Sequence, residues 1–231
     1  MSNFLNYPDK DKPILFLHIP RTGGTSFRWM MAAQYGNEKM GLIRYDYLIE
    51  AEVISRQEDF KVITGHLYID DEVVQNLNGT YNSITILRHP LYRALSFYHY
   101  ATNWKGNNEH EAIKSYSLEE FLIHPQFSNM LCNHIGGNNS NSVYVDACSN
   151  LSRLTLFGFY ERYAEMIAIA QRRFDWGGVV IRREEHIDGV STPEQLSKGL
   201  LDKWAELNKM DIDFYGYAVT LYEERRLKWL E

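Results

Sequence analysis

Residues 18–27 read HIPRTGGTSF and directly follow the apolar run Pro13–Leu17. The apolar run predicts a buried strand, and a helical pattern begins at Gly24, behind a short turn. This order directs several backbone N–H groups and a helix N-terminus at one point. Gly23 and Gly24 allow the backbone to approach a bound group closely. The stretch therefore predicts an anion-binding loop at the end of a buried strand.

The side chains of this loop suit a phosphate. Thr22, Thr25 and Ser26 offer hydroxyl donors, and Arg21 adds a positive charge with a planar fork of donors. No Lys-Ser/Thr pair follows the second glycine, as a Walker loop requires. The loop thus predicts a phosphate site without the ATPase motif. A P-loop kinase acting on a small molecule is the alternative, and the missing lysine argues against it.

Length and composition favour one α/β domain. The chain has 231 residues, 45% of them hydrophobic, and a formal net charge of −6. This length is sufficient for one substantial core. The negative charge argues against a broad face that binds nucleic acid. We find no repeat and no linker, and we predict one domain over residues 1–231 with a flexible N-terminal tail over residues 1–12.

The sequence also indicates where in the cell the protein is expected. No apolar run reaches the roughly 20 residues that span a bilayer. The polar N-terminus, MSNFLNYPDKDKP, has no signal-peptide hydrophobic region. Two cysteines, Cys132 and Cys148, do not make a disulfide framework, and we interpret them as buried thiols, with a disulfide or a catalytic thiol as the alternatives. We therefore expect a protein of the reducing cytoplasm, without a transmembrane segment.

Short apolar runs alternate with helical patterns along the chain. The predicted strands are Pro13–Ile19, Lys61–Gly65, Ser83–Leu87, Leu154–Phe159 and Val179–Arg182. The predicted helices are Gly24–Tyr35, Asp70–Leu77, Pro90–Trp104, one from a capping box at Ser117 to His124, Glu161–Phe174, one from Thr192 to Asn208, and a last helix capped by Asp211. This alternation predicts an α/β fold, with a P-loop-like open parallel sheet flanked by helices.

A second group of candidate residues lies in ITILRHPLYRALSFYHY, residues 84–100. A buried strand places Arg88 at its C-terminal end, the edge at which open α/β sheets bind ligands. Ser96 lies eight residues later, on the helix that begins at Pro90. Two helical turns can bring Ser96 back toward Arg88, so that both hold one phosphate. An ordinary strand-end arginine in a surface ion pair is the alternative.

The third candidate is His66, which follows the second predicted strand and faces the same edge. The ordinary pKa of an imidazole, about 6.5, suits a general base at neutral pH. A structural histidine bonded to a backbone carbonyl is the alternative. The chain has no HExxH pattern and no Cys/His cluster with zinc spacing, so we predict no metal site.

Together these motifs resemble those of the sulfotransferases, in particular the family-2 group that includes carbohydrate sulfotransferases. HIPRTGGTSF is similar to their loop for the 5′-phosphosulfate of PAPS (3′-phosphoadenylyl sulfate). LRHPLYRALS is similar to their 3′-phosphate motif, with Arg88 and Ser96 at the two binding positions. GHL at 65–67 is similar to their Gly-His motif, whose histidine acts as base. The resemblance extends to two further segments, FGFYERYAE (157–165) and NKMDIDFYGYAVTLYEERR (208–226).

The resemblance implies in-line transfer of the sulfuryl group of PAPS to a hydroxyl acceptor, with no metal required. His66 and Arg21 are the implied catalytic residues: His66 accepts the hydroxyl proton, and Arg21 stabilises charge on the leaving phosphate. The implied cofactor-binding residues are Arg21, Thr22, Gly23, Gly24, Thr25, Ser26, Arg88 and Ser96. A carbohydrate is the favoured acceptor, and a lipid, phenol or other metabolite hydroxyl stays open. Residues 104–116 and 127–141 are the candidate lining of the acceptor cleft.

Two positions depart from the family pattern. The family usually has lysine where this chain has Arg21, and arginine is a very poor acid. A relative that binds a nucleotide or a glycan with little turnover is therefore the alternative from another class. The family commonly has aspartate where this chain has His89. His89 is a second candidate titrating group or, in the favoured interpretation, a packing residue between loop and helix.

Overall fold

The computed structural model describes residues 7–43, 50–77, 79–103, 111–178 and 190–231. The late strand predicted over Val179–Arg182 lies outside these ranges. The surface loop predicted over Trp104–Tyr116 also lies outside them, apart from its last residues, where Glu111–Lys114 is helical.

Within the described residues, five parallel strands form one sheet. They are β1 (Ile14–Leu17), β2 (Met40–Ile43), β3 (Val62–Gly65), β4 (Asn82–Leu87) and β5 (Leu156–Phe159). Their order in the sheet is β2-β3-β1-β4-β5, so β1 is central. All four residues of β1 are buried, as expected for a parallel strand covered on both faces. The predicted α/β class with an open parallel sheet in a single domain is confirmed.

Helices flank the sheet. In the described residues they are α1 (Gly24–Tyr35), α2 (Glu50–Ser55), α3 (Glu72–Leu77), α4 (Pro90–Asn103), α5 (Glu111–Lys114), α6 (Leu118–Leu122), α7 (Met130–Gly136), α8 (Val143–Arg153), α9 (Tyr163–Phe174), α10 (Lys198–Leu207) and α11 (Lys209–Leu230). The bounds of α1 agree with the prediction, and the capping box of Ser117 and Glu120 opens α6 as expected. None of these helices is long and apolar enough to cross a membrane.

Five elements were not predicted, namely β2, α2, α5, α7 and α8. β2 has four residues, one of them Gly41, which packs so closely on Phe60 that an added Cβ would lie 3.0 Å from its ring. So short a strand, weakened by a glycine, has little periodicity to detect. α7 and α8 lie in a segment rich in asparagine and serine, residue types that favour turns. Their packing on α11 outweighs that local preference.

The predicted role of Asp211 as the cap of its own helix is wrong. α11 begins after Asn208, and Asp211 lies inside its first turn. The carboxylate of Asp211 is buried and accepts hydrogen bonds from the backbone N–H groups of Leu131 (3.0 Å) and Cys132 (2.8 Å). Asp211 therefore caps α7, a helix about 80 positions earlier in the chain.

The N-terminal segment is fixed where the structure describes it. Asn82, at the start of β4, donates to the carbonyls of Asp9 (2.7 Å) and Lys12 (2.9 Å), and its carbonyl accepts from the N–H of Asp9. These bonds hold part of the segment that we predicted as a flexible tail over residues 1–12. Buried amide groups are normally satisfied in this way, and the tail supplies the partners that Asn82 needs.

Both cysteines are free thiols. Cys132 is buried, and burial raises its pKa, with the charge of Asp211 as the next cause. Cys148 is half-buried, and burial raises its pKa as well. The interpretation as buried thiols therefore holds for Cys132 and in part for Cys148, and the alternative of a disulfide is excluded in this structure.

Candidate active site

Three neighbouring strands end at the same edge of the sheet. Leu17, the last residue of β1, pairs with Gly65 at the end of β3, and β4 lies on the other side of β1. His18, His66 and Arg88 are the first residues after these three strands. The parallel sheet thus brings the phosphate loop, the candidate base and the candidate phosphate arginine to one edge.

The candidate phosphate loop, residues 18–27, has two residues with a positive φ. Arg21 has φ of 68° and Gly23 has φ of 86°, both in the left-handed region. Gly23 is the residue that precedes α1, and an added Cβ there would lie 2.8 Å from the ring of Tyr160. An added Cβ at Gly24 would lie 1.9 Å from the ring of His18. The rings of Tyr160 and His18 leave no room for a side chain at these two positions, so both must be glycine.

The hydroxyl groups of the loop have different surroundings. Thr22 is fully buried, and its hydroxyl donates to the carbonyl of Ile19 at 2.8 Å. That hydroxyl closes the loop on itself in this structure, and the role of Thr22 in cofactor binding stays a prediction. Thr25 and Ser26 are half-buried in the first turn of α1.

Tyr163 supports the loop and was missed in the sequence. Its hydroxyl donates to the carbonyl of Gly23 at 3.0 Å, and its side chain also hydrogen bonds with Ser26. Burial raises the pKa of Tyr163, so the hydroxyl keeps its proton at neutral pH. Tyr163 lies 140 residues from Gly23, and no local pattern indicates the contact.

Arg21 and Ser96 are in direct contact. Nε of Arg21 donates to Oγ of Ser96 at 3.2 Å, and the guanidinium lies 4.4 Å from the ring centre of Tyr100. Ser96 and Tyr100 stand one turn apart on α4, so a single helix holds both. The first phosphate motif and the second one therefore meet through these side chains.

Arg88 lies in the same cluster of side chains as Arg21 and Ser96. Its Nη1 donates to the carbonyl of Arg21 at 3.1 Å, and its guanidinium lies 4.4 Å from the ring centre of Tyr160. Nε of Arg88 is buried and has no hydrogen-bond partner among the residues that the structure describes. Burial lowers the pKa of Arg88, the expected result of removing a cation from water. An unsatisfied buried donor of this kind indicates a place for an anion.

His66 lies against a second histidine. The ring centres of His66 and His18 are 4.8 Å apart, in an edge-to-face arrangement of 62°. His66 is half-buried, whereas His18 is only 3% exposed. Burial lowers the pKa of His18 far below its usual value, and the charges of His66 and Arg28 act in the same direction. His18 is therefore neutral at physiological pH.

The segment 127–141, predicted to line an acceptor cleft, packs beside the loop that carries His66. The ring of His134 on α7 stacks on Tyr68 at 4.3 Å, and its carbonyl accepts from the N–H of Ile69 at 2.9 Å. The carboxylate of Asp70 accepts from the backbone and the side chain of Asn139. These contacts hold residues 68–70 against α7.

His89 has a packing environment. Its ring centre is 5.5 Å from those of Tyr92 and Tyr215, and its backbone N–H donates to Glu161 at 2.9 Å. The second oxygen of Glu161 accepts from the hydroxyl of Tyr215 at 3.0 Å. Burial lowers the pKa of His89, although the charge of Glu161 opposes the shift. These contacts support the interpretation of His89 as a residue that packs loop against helix.

Arg93 is a buried arginine near the candidate site that the sequence analysis did not identify. Its side chain is 2% exposed, and in the described part of the chain neither Nε nor Nη1 has a hydrogen-bond partner. Burial lowers its pKa to about 10, while the nearby carboxylate of Asp211 opposes the shift. Arg93 follows Arg88 by five residues in the same motif, and this spacing is the signal for it in the sequence.

Within the described ranges, no group of three His, Cys, Asp or Glu side chains is arranged to hold a metal ion.

Comparison with known proteins shows the family of the chain. Residues 7–218 match the model of the sulfotransferase family, and the chain therefore belongs to that family. The match confirms the predicted enzyme class, a PAPS-dependent sulfotransferase. Among solved structures, the chain is similar to the mouse sulfotransferase SULT7A1 complexed with PAP. The two share 14% sequence identity and a TM-score of 0.48, over 95% of this chain and 92% of that chain. No curated protein sequence matches the chain.

Proposed function

We propose that this protein transfers the sulfuryl group of PAPS to a hydroxyl group of an acceptor, with His66 as the general base. The observation that carries the proposal is the contact between the two phosphate motifs. Arg21 bonds to Ser96, Arg88 bonds to the backbone of Arg21, and His66 follows the adjacent strand of the sheet. One edge of the sheet thus combines cations for two phosphate groups with a base.

Arg88 and Ser96 are assigned to the 3′-phosphate of the donor. The unpartnered Nε of Arg88 fits this assignment, because a phosphate oxygen satisfies a buried donor that otherwise costs free energy. Ser96 lies close to Arg21, so one helix position contributes to both phosphate groups. Recognition of a 3′-phosphate distinguishes PAPS from ATP, and its binding energy helps to align the sulfuryl group.

The loop over residues 21–26 is assigned to the 5′-phosphosulfate. PAPS supplies the activated sulfuryl group, bonded through an oxygen to its 5′-phosphate. The positive end of α1 and the Arg21 guanidinium stabilise the charge that this phosphate gains. With its side chain bonded to Ser96 and lying over Tyr100, Arg21 is held in one orientation before the reaction begins.

His66 is assigned the proton of the acceptor hydroxyl. As the acceptor oxygen forms its bond to sulfur, the bond from sulfur to the bridging oxygen breaks and its electron pair stays on the phosphate. The hydroxyl proton passes to an imidazole nitrogen of His66, which makes the oxygen a better nucleophile. The proton then leaves His66 for solvent, and the neutral base is restored.

A carbohydrate is the acceptor that we favour. The surface beside His66 includes the half-buried Tyr68, whose ring stacks on the buried His134, and the exposed amide of Asn139. Aromatic rings and amide groups are suited to the faces and hydroxyl groups of a sugar. A cytoplasmic location remains part of this proposal.

An assay with labelled PAPS over a panel of glycans, phenols and small alcohols tests the proposal. We expect transfer to at least one hydroxyl acceptor, without added metal, and strongest with a glycan. Binding of PAPS without transfer to any acceptor would favour a relative with little turnover. Transfer of phosphate from ATP would favour the kinase alternative.

A further inference from the structure

His18 has no part in the mechanism proposed above, although it is the first residue after β1. Its backbone N–H donates to the carbonyl of Gly65 at 3.1 Å, directly before His66. Its ring stacks on Phe16 with centres 5.6 Å apart and planes 12° apart. The side chain is thus fixed at the point where β1 and β3 end.

The ring of His18 contacts both halves of the proposed reaction centre. On one side, the ring of His18 faces the ring of His66, and the two ring centres lie 4.8 Å apart. Another part fills the space beneath Gly24, where an added Cβ would lie 1.9 Å from Cδ2 and 2.3 Å from Nε2 of His18. The imidazole therefore lies between the start of α1 and the candidate base.

His18 adds no charge to this position. The groups that act on it are His66 after β3, Arg28 of α1, His134 of α7 and Arg21 of the loop. All of them oppose a proton on His18, and burial opposes it more strongly than any of them. A neutral ring can support His66 without repelling the proton that a general base receives.

We infer that His18 is a positioning residue: its ring fixes the imidazole of His66 relative to the start of α1, so that base and sulfuryl donor keep one geometry. The inference rests on the proposed function. Its expected effect is large, because a displacement of about 1 Å at a reacting group can reduce a rate by about 10²-fold.

NMR relaxation of ¹³C-labelled histidine rings tests the inference without an acceptor. The proteins are wild type, His18→Ala and a control, Phe27→Leu, with the His66 signal assigned by its loss in His66→Asn. Phe27 is fully buried and its ring centre lies 5.2 Å from that of Phe16, so its truncation loosens the same cluster. We expect a rigid His66 ring in wild type and Phe27→Leu, and a ring mobile on the picosecond-to-nanosecond timescale in His18→Ala.

Kinetics give a second measurement. On an acceptor found with labelled PAPS, His18→Ala should lower kcat by about 10-fold to 10²-fold and leave the Kd for 3′,5′-ADP within about threefold of wild type. A residue that only packs the loop would weaken donor binding and kcat together. His18→Asn, which keeps part of the ring volume, is measured in the same way and takes the place of His18→Ala should that variant not fold.

The inference is overturned by a His66 ring that stays equally rigid in both His18 variants. It is also overturned by a Phe27→Leu variant with the same mobile ring and the same loss of kcat. Failure of the proposed function has a different result, namely no transfer from PAPS by wild type. The relaxation measurement still decides the role of His18 in that case.

Discussion

Nε of Arg21 lies 3.2 Å from the hydroxyl of Ser96, although 75 positions separate the two residues in the chain. This bond joins the loop after β1 to the helix after β4. The two motifs therefore form one cluster of side chains, and we expect a ligand with phosphate groups at both ends to bind it better than a ligand with one.

The first prediction concerns ligand discrimination. We expect 3′,5′-ADP to raise the melting temperature far more than ATP or 5′-AMP, without added metal. The reason is that only 3′,5′-ADP has phosphate groups for both the loop and Arg88, and binding to the native state raises its stability by mass action. Thermal unfolding at matched ligand concentrations measures the effect. Equal shifts with ATP and 3′,5′-ADP would contradict the assignment of a 3′-phosphate site.

The second prediction is that Arg88→Ala weakens binding of 3′,5′-ADP with little loss of stability. A lost charge-assisted contact typically costs about 1.5–3 kcal/mol, or roughly 10-fold to 150-fold in affinity. The fold loses the hydrogen bond from Nη1 of Arg88 to the carbonyl of Arg21 and the contact with Tyr160, whereas the buried Nε has no partner among the described residues. Calorimetric titration measures the Kd. Arg56→Ala, which removes an exposed arginine that pairs with Glu52 and Asp59, is the control and should bind like wild type.

The third prediction is that His66→Ala lowers turnover by about 10²-fold to 10⁴-fold, the usual effect of removing a general base. The Kd for 3′,5′-ADP should stay near that of wild type, because the phosphate contacts come from other residues. Single-turnover transfer from PAPS and calorimetry measure the two quantities. His124→Asn, a change at a half-buried histidine that follows the capping-box helix, should retain turnover. A His66→Ala protein with more than about a third of wild-type turnover would rule out the role of base.

The fourth prediction concerns Arg21. Arg21→Lys should retain or raise activity, because either cation can stabilise the leaving phosphate and the compact ammonium can approach the bridging oxygen closely. Arg21→Ala should lose about 10²-fold to 10³-fold, the usual cost of one preorganised donor. Single-turnover transfer at saturating PAPS compares the three proteins. Loss of activity in both variants would mean that the fork of Arg21, bonded to Ser96, is required rather than its charge.

The fifth prediction concerns pH and stability. Burial lowers the pKa of His18, so the folded protein resists its protonation. Below about pH 6.5 the unfolded chain binds a proton at this imidazole and the folded chain does not, so stability falls as pH falls. Above that pH both states are neutral and His18 contributes no pH dependence. The slope approaches about 1.4 kcal/mol per pH unit for one such group.

Urea unfolding of wild type and His18→Ala from about pH 8 to about pH 5 measures this slope. We expect wild type to lose more stability than the variant on acidification. Two half-buried histidines with lowered pKa, His89 and His99, are present in both proteins and cancel in the difference. Equal slopes would mean that His18 binds its proton equally well in both states.

Much of the candidate site for the sulfuryl donor could be predicted, because the sequence patterns that indicate it are local. The bounds of α1 and the capping box at Ser117 came from neighbouring residues, and the structure confirms both. Arg88 and Ser96 were found in the same way, within one strand–helix unit. The roles of the individual site residues stay predictions. β2 was missed, since its four residues are recognisable as a strand only when paired with β3.

The sequence by itself determined the class of fold, the strand, turn and helix around the candidate phosphate loop, and the residue types at the candidate site, because such patterns depend on residues a few positions apart. Only the tertiary structure decided which distant groups meet. Asp211 caps α7 rather than its own helix, and Tyr163 supports the carbonyl of Gly23. The ring of His18 lies against His66 because β1 and β3 are neighbours in the sheet. Such contacts depend on strand order and on burial, which arise when the whole chain packs and leave no pattern in any short segment.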